Sequence, residues 1–384
     1  MHITLNNKGF NMHHFKGLTW DHPRGYRPLQ AWAKADRTLK VEWDIQKLEG
    51  FESHPIDELA EKYDLLIVDN PGIGEAAEKN CLWPLEDFLT PEEMSYLCET
   101  STGHSWESYR YRGKHWAVPV DAASQVCALA DCNISFPPAS WDDVLLLSQQ
   151  YERRVALSLG GPHALLTCYS VCQSLGGKLF DGDRFILDDE TAIRALRIMQ
   201  TLYRRQHKPL TALNPIGLLD EMAKGTFDLC PAIFGYINYS SAETGRRVKF
   251  FNIPHGGNPA VRGSVLGGTG LAISRRCSPT PELIRHIMAY VSEHVQKTLV
   301  VENGGQPANI YAWKDRHAND LTNNFFSGTL DTVSQACLRP KYHGYIPFQD
   351  SASEIIRHGL INEVPAGEIF AAIKASSMLN DLPR

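Results

Sequence analysis

Trp20, Asp21, His22 and Arg24 lie almost side by side in the chain. An indole face, a carboxylate, an imidazole and a guanidinium this close together suit two kinds of chemistry. They can hold a polar ligand by stacking and paired hydrogen bonds. They can also move a proton, with His22 as acid or base, Asp21 beside it and Arg24 holding an anionic substrate. Asp21 is equally well placed to cap a helix that follows it. Further candidates fall at the ends of apolar runs. Asp69 and Asn70 precede a proline, which also fits a plain turn. Asp121 can accept from two hydroxyls or steady a chain crossing with a hydrogen bond. Tyr236, in Phe234-Gly235-Tyr236, offers a stacking face or fills a core. Gly268 and Thr269 can present backbone N–H groups, and Gln306 and Trp313 complete the set.

The motifs of common enzymes do not occur. There is no GxSxG elbow, HExxH helix or P-loop. Gly267-Gly268-Thr269-Gly270 is not a dinucleotide fingerprint, because it lies in a late strand segment rather than at a first strand-to-helix turn. Cys168 and Cys172 share a helix face without a CxxC or a His pair, which does not make a zinc site. The expectation is a protein without cofactor or metal, and a binding function ahead of catalysis.

The elements that must position these residues alternate. His14 to Trp20 reads as a strand, Pro23 to Lys34 as a helix, and Thr38 to Trp43 alternates with period two. A helix starts at Ser53-His54-Pro55, and Leu65-Leu66-Ile67-Val68 is a continuous apolar run suited to a strand covered on both faces. This βαβαβ pattern predicts a parallel sheet, whose ligands bind beyond the carboxyl ends of the strands. His115 to Val120 and Gln125 to Leu129 read as two strands separated around Asp121. Helices are predicted over Trp141–Tyr151, Pro162–Leu175, Asp189–Gln206 and Pro281–Thr298. Strands are predicted over Val155–Leu159, Thr226–Leu229, Val248–Ile253 and Arg262–Ser274, with a mostly helical tail from Leu330 to Leu379.

Composition sets the class. With 384 residues, 43% hydrophobic and 21% charged, the chain is a globular protein too long for one ordinary core. A net charge of -6 gives no reason to expect nucleic acid as a partner. Apolar runs fall far short of the roughly 20 residues that span a bilayer. Met1 to Asn11 is polar, with no apolar signal region, and Met12 stands just before the first strand; this predicts a chain without an export signal. Nine cysteines, an odd number, suit a reducing compartment and buried structural roles.

Four segments carry a family resemblance. Tyr111-Arg112-Gly113-Lys114-His115-Trp116-Ala117-Val118-Pro119, Pro137-Pro138-Ala139-Ser140-Trp141-Asp142-Asp143, Gly267 to Ser274 and Asn303-Gly304-Gly305-Gln306-Pro307-Ala308 occur in order between Leu18 and Trp313. Together they resemble the family 1 extracellular solute-binding proteins, the maltose-binding-protein-like receptors of ABC importers. The last segment lacks the arginine that follows it in the family pattern. The resemblance implies an α/β, two-lobed periplasmic-binding-protein-like (type II) fold. One lobe would comprise residues 13–121 plus 262–310, the other 122–261 plus 311–384. The chain would cross near Val120–Ala123, Pro259–Gly263 and Pro307–Trp313. It also implies a monomer that closes on a sugar-like ligand in the cleft, an ABC permease as partner and a periplasmic location, which the polar N-terminus does not favour. The alternative is a cytosolic enzyme on the same fold, using His22, Arg24 and Asp21.

Overall fold

The computed structural model describes residues 13–130, 134, 136–241 and 245–379. The segment before His13, on which the export-signal expectation rests, lies outside them. The first strand, β1 (His14–Trp20), pairs in parallel with β2 (Lys40–Gln46) and with β3 (Leu65–Val68). Helix α1 (Pro23–Ala35) makes the first crossover, as the βαβαβ pattern predicts. All four residues of β3 are buried. Leu65 and Ile67 join one apolar cluster and Leu66 and Val68 another, so the strand is covered on both faces.

Strand β4 (Val118–Ala130) departs from expectation. It is one buried strand, not two separated around Asp121. Its first part pairs antiparallel with β7 (Leu266–Ile273) and its second part with β5 (Leu229–Phe234) and β6 (Val248–Phe251). Asp121 sits within the ladder opposite Thr269, and a register shift between Thr269 and Gly270 absorbs the irregularity. A carboxylate inside an apolar strand looks like a break, but here it is paired within the protein. The result is a seven-stranded sheet in which β7 lies between β3 and β4, and β4 belongs to both halves of the molecule.

Other boundaries also move. Val155–Leu159 is not a strand; Val155 makes only an isolated bridge to Leu229. β5 begins at Leu229 rather than ending there, and β7 begins at Leu266, after Arg262 has turned its side chain onto the Pro259 and Ile253 carbonyls. The helix predicted over Pro281–Thr298 stops at Tyr290. There the Ser292 hydroxyl donates to the Ala289 carbonyl at 2.7 Å and caps a new turn. The helix at Trp141 starts as expected, with Ser140 and Asp143 forming a capping box.

Beyond the crossing, helices α3 (His163–Ser174), α4 (Asp189–Arg205), α5 (Tyr345–Ile361) and α6 (Ala366–Leu379) pack together around a core containing Trp141, Leu165, Phe348 and Ile369. The tail of the chain thus completes the second half. Among the described residues no cysteine is in a disulfide, and no helix is long and apolar enough to cross a membrane.

Opposite the crossing, the halves touch through a segment leading into α5. Lys341 donates from Nζ to the Glu107 carbonyl at 2.9 Å. Gly74, in a short helix over Ile73–Glu78, packs directly on the Lys341 carbonyl, where a Cβ has no room. Gly74→Ala should therefore wedge the halves apart at a cost of about 1–3 kcal/mol, the usual range for overpacking. The expected result is a larger radius of gyration in solution scattering with unchanged circular dichroism. Identical scattering and an identical denaturation midpoint would show that this contact does not form.

Candidate ligand-binding site

The site begins where β1 stops. Pro23 fixes the first turn of α1, and the cap is His22, not Asp21: the imidazole Nδ1 accepts from the Arg24 N–H at 3.1 Å. Asp21 is exposed and takes no part. The His22 ring stacks on Trp20, with centroids 5.4 Å apart and planes at 12°. Phe51 covers Trp20 at 5.8 Å, and Tyr236 meets His22 edge-on at 4.8 Å. Trp20 lies so close to α1 that only glycine fits at position 25. Its buried indole N–H has no hydrogen-bond acceptor.

Arg24 is turned inward. Its Nε donates to Asp121 Oδ2 at 2.8 Å, Nη2 donates to Asp121 Oδ1, and Nη1 donates to the Gly235 carbonyl at 3.1 Å. The guanidinium also lies 4.8 Å from the Tyr236 ring centroid. Each nitrogen is thus committed, so Arg24 is not available to hold an anionic substrate. Asp121 is likewise spent on the pair, and of its two expected roles it performs the steadying of the crossing. Burial, and then the charges of Arg24 and Arg27, push the His22 imidazole down to about 3. His22 is therefore held neutral, and its Nδ1 is already engaged at the cap.

The remaining candidates divide. Trp20, Arg24, Asp69, Tyr236, Gly268 and Thr269 line one chamber of about 70 Å³ between the halves. Asn70 is buried in the turn Asn70–Gly72 that Asp69 caps, and it does not border the chamber. Gln306 is a tie between segments: its Nε2 donates to the Ala122 carbonyl at 3.1 Å and its Oε1 accepts from the Ile237 N–H at 3.1 Å. With Asp121 it borders only a void of about 10 Å³, room for a single water. Trp313 is core. It is 1% exposed, donates to the Pro307 carbonyl at 2.8 Å and packs on Phe326. Neither Gln306 nor Trp313 borders the chamber.

Residues with no motif around them complete the chamber. Phe51, His163, Phe234, Arg339 and Gln349 all line it. Arg339 donates through Nη2 to both oxygens of Asp69, at 2.8 and 2.9 Å, and through Nη1 to Gln349 Oε1 at 3.3 Å. His163 sits edge-on to Phe234 at 5.8 Å. Burial, and then Arg339 and Arg357, hold its pKa at about 3. The only local hint to His163 was its place after Gly160-Gly161-Pro162, a turn leading into a helix. A neighbouring cavity of about 200 Å³ shares Phe51, Asp69 and Ile346 and extends past His54 and Glu75.

A larger groove, about 910 Å³, lies elsewhere: His22, Arg27, Lys224, Asn238 and Glu302 border it. It is lined by scattered charges. The smaller chamber is the better candidate, because aromatic faces and a carboxylate converge on it from both halves. Among the described residues no group of His, Cys, Asp or Glu is gathered as a metal would require.

No family model and no curated protein matches this sequence. Solved structures do match its shape. Maltose-bound MalE3 of T. maritima superimposes with a TM-score of 0.79 at 16% identity, over 95% of this chain and 99% of that one. A solute-binding protein of an ABC transporter from Thermotoga lettingae, bound with α-D-tagatose, gives 0.78 at 16% identity over 96% and 100%. One from Agrobacterium radiobacter K84, in complex with ribitol, gives 0.78 at 15% identity over 94% and 97%. The chain therefore has the two-lobed α/β fold of maltose-binding-protein-like solute-binding proteins.

Proposed function

We propose that this protein is a solute-binding receptor that closes around a small, neutral sugar or polyol and delivers it to an ABC-type permease. The observation that carries the reading is the convergence of Trp20 and Asp69 from one half with Tyr236, Phe234 and Gln349 from the other on one chamber. Aromatic faces suit the C–H face of a sugar ring, and carboxylate and amide oxygens suit its hydroxyls. The matched structures contain maltose, α-D-tagatose and ribitol, which are neutral and rich in hydroxyls. On this reading the lobes are residues 13–121 with 262–310 and residues 122–261 with 311–384, turning about the crossings.

Asp69 is the acceptor of first importance. In a thermal-shift titration, ribitol, D-tagatose or maltose at about 100 times its dissociation constant adds roughly 2.7 kcal/mol to the stability of the folded protein. Asp69→Asn should weaken that binding about 10- to 100-fold, the worth of a hydrogen bond to a charged group. A screen in which no sugar or polyol shifts the melting temperature removes the proposal.

The pH dependence of stability separates binding from proton-transfer chemistry. His22 and His163 both have folded pKa values depressed to about 3, whereas an unfolded histidine protonates near 6.5. The unfolded chain thus binds more protons between these values, and stability present above about pH 6.5 is lost as pH falls toward 3. The expected slope is on the order of 1 kcal/mol per pH unit for each histidine. His22→Asn keeps a capping side chain and should remove about one histidine's share of that slope in urea unfolding. An unchanged slope would mean that His22 is not held neutral.

A further inference from the structure

In the closed cleft, the groups best suited to recognising hydroxyls already satisfy one another. Arg339 grips both oxygens of Asp69, and Gln349 accepts from the same guanidinium. Asp69 stands at the end of β3 in one half; Arg339 and Gln349 belong to the segment that packs with the other, so the contact spans the cleft. It is sheltered, with the Arg339 side chain only 4% exposed and that of Asp69 24%. The chamber that they line holds about 70 Å³, room for a few waters. Drug-sized ligands occupy pockets of about 300 Å³ or more. This chamber alone is too small for a ring or a five-carbon chain while the arrangement stands.

One guanidinium nitrogen, Nη2, reaches both oxygens of the Asp69 carboxylate. Two hydroxyls on adjacent carbons can satisfy the same two oxygens. We infer that Arg339 occupies, on Asp69, the place of a ligand's vicinal diol, so that the Arg339–Asp69 contact and the bound ligand exclude each other. This rests on the sugar or polyol reading above. Arg339 then acts as an internal competitor that holds the empty cleft shut and selects for ligands able to donate to both oxygens of Asp69. The apparent affinity is lowered by the fraction of molecules in which Asp69 is engaged. Arg339 is a positioning and specificity residue rather than a ligand contact, and the two roles predict opposite effects of its removal.

The test uses the full chain, in wild-type form and as Arg339→Gln and Arg339→Lys. Lysine keeps the charge but lacks the second arm that reaches Gln349, and serves if the glutamine variant does not fold. Solution scattering of the ligand-free proteins is paired with calorimetric titration of ribitol, D-tagatose and maltose. Wild type should scatter as a compact form without ligand, and Arg339→Gln as a more extended one. Whichever polyol binds wild type should bind Arg339→Gln several-fold more tightly, with Arg339→Lys between them. Weaker binding by Arg339→Gln, or scattering identical to wild type, overturns the inference. If none of the three polyols binds either protein while the variant still opens, the sugar reading falls and the Asp69–Arg339 closure stands. If polyols bind but the variant stays compact, the sugar reading stands and the closure falls.

Discussion

The buried pair between Arg24 and Asp121 is the constraint on which this cleft depends. Arg24 comes from the first helix and Asp121 from the strand that crosses between halves, while the Gly235 carbonyl that completes the set comes from the far half. Taking both ions out of water is expensive, and the cost is offset because each nitrogen of the guanidinium has an acceptor. Losing one partner would leave the other charged and buried, typically about 3–5 kcal/mol. The same guanidinium lies over Tyr236, and Tyr236 leans on His22, which stacks on Trp20. One ion pair thereby sets the aromatic wall of the chamber.

Much of the fold was legible. The alternation from His14 to Val68 names a parallel sheet, and Trp20 and Asp69 stand out because strand ends in such sheets face the cleft, while Gly268 and Thr269 stand out for the backbone of a glycine-rich strand. What local pattern could not show was which polar groups are already spent. Arg24, Asp121 and His22 have the side chains of a ligand or proton site, but their partners come from elements far apart in the chain. Gln306 and Trp313 tie backbone segments together rather than face the chamber. Arg339 and Gln349 were invisible for the converse reason. They belong to a tail with an ordinary helical pattern, and only the folded chain brings them opposite Asp69.

The strand break read at Asp121 has the same origin. Period and polarity report a residue's immediate neighbours, and by that standard a carboxylate between Val120 and Ala122 interrupts a strand. The three-dimensional neighbour, Arg24, makes it an internal member of the ladder. Functional and strained positions are where local rules are expected to fail, and here the failure marks the crossing between the lobes.

The insertion of β7 between β3 and β4 bears on how the molecule comes off the ribosome. Until Leu266–Ile273 has been synthesised, β3 and β4 have no partner on their facing edges, and the first lobe is a sheet with a slot in it. The second lobe must in turn wait for the C-terminal helices α5 and α6 that cover α3 and α4. Neither body can finish early, so the nascent chain carries open strand edges through most of its translation, a long exposure to aggregation that holding chaperones would relieve.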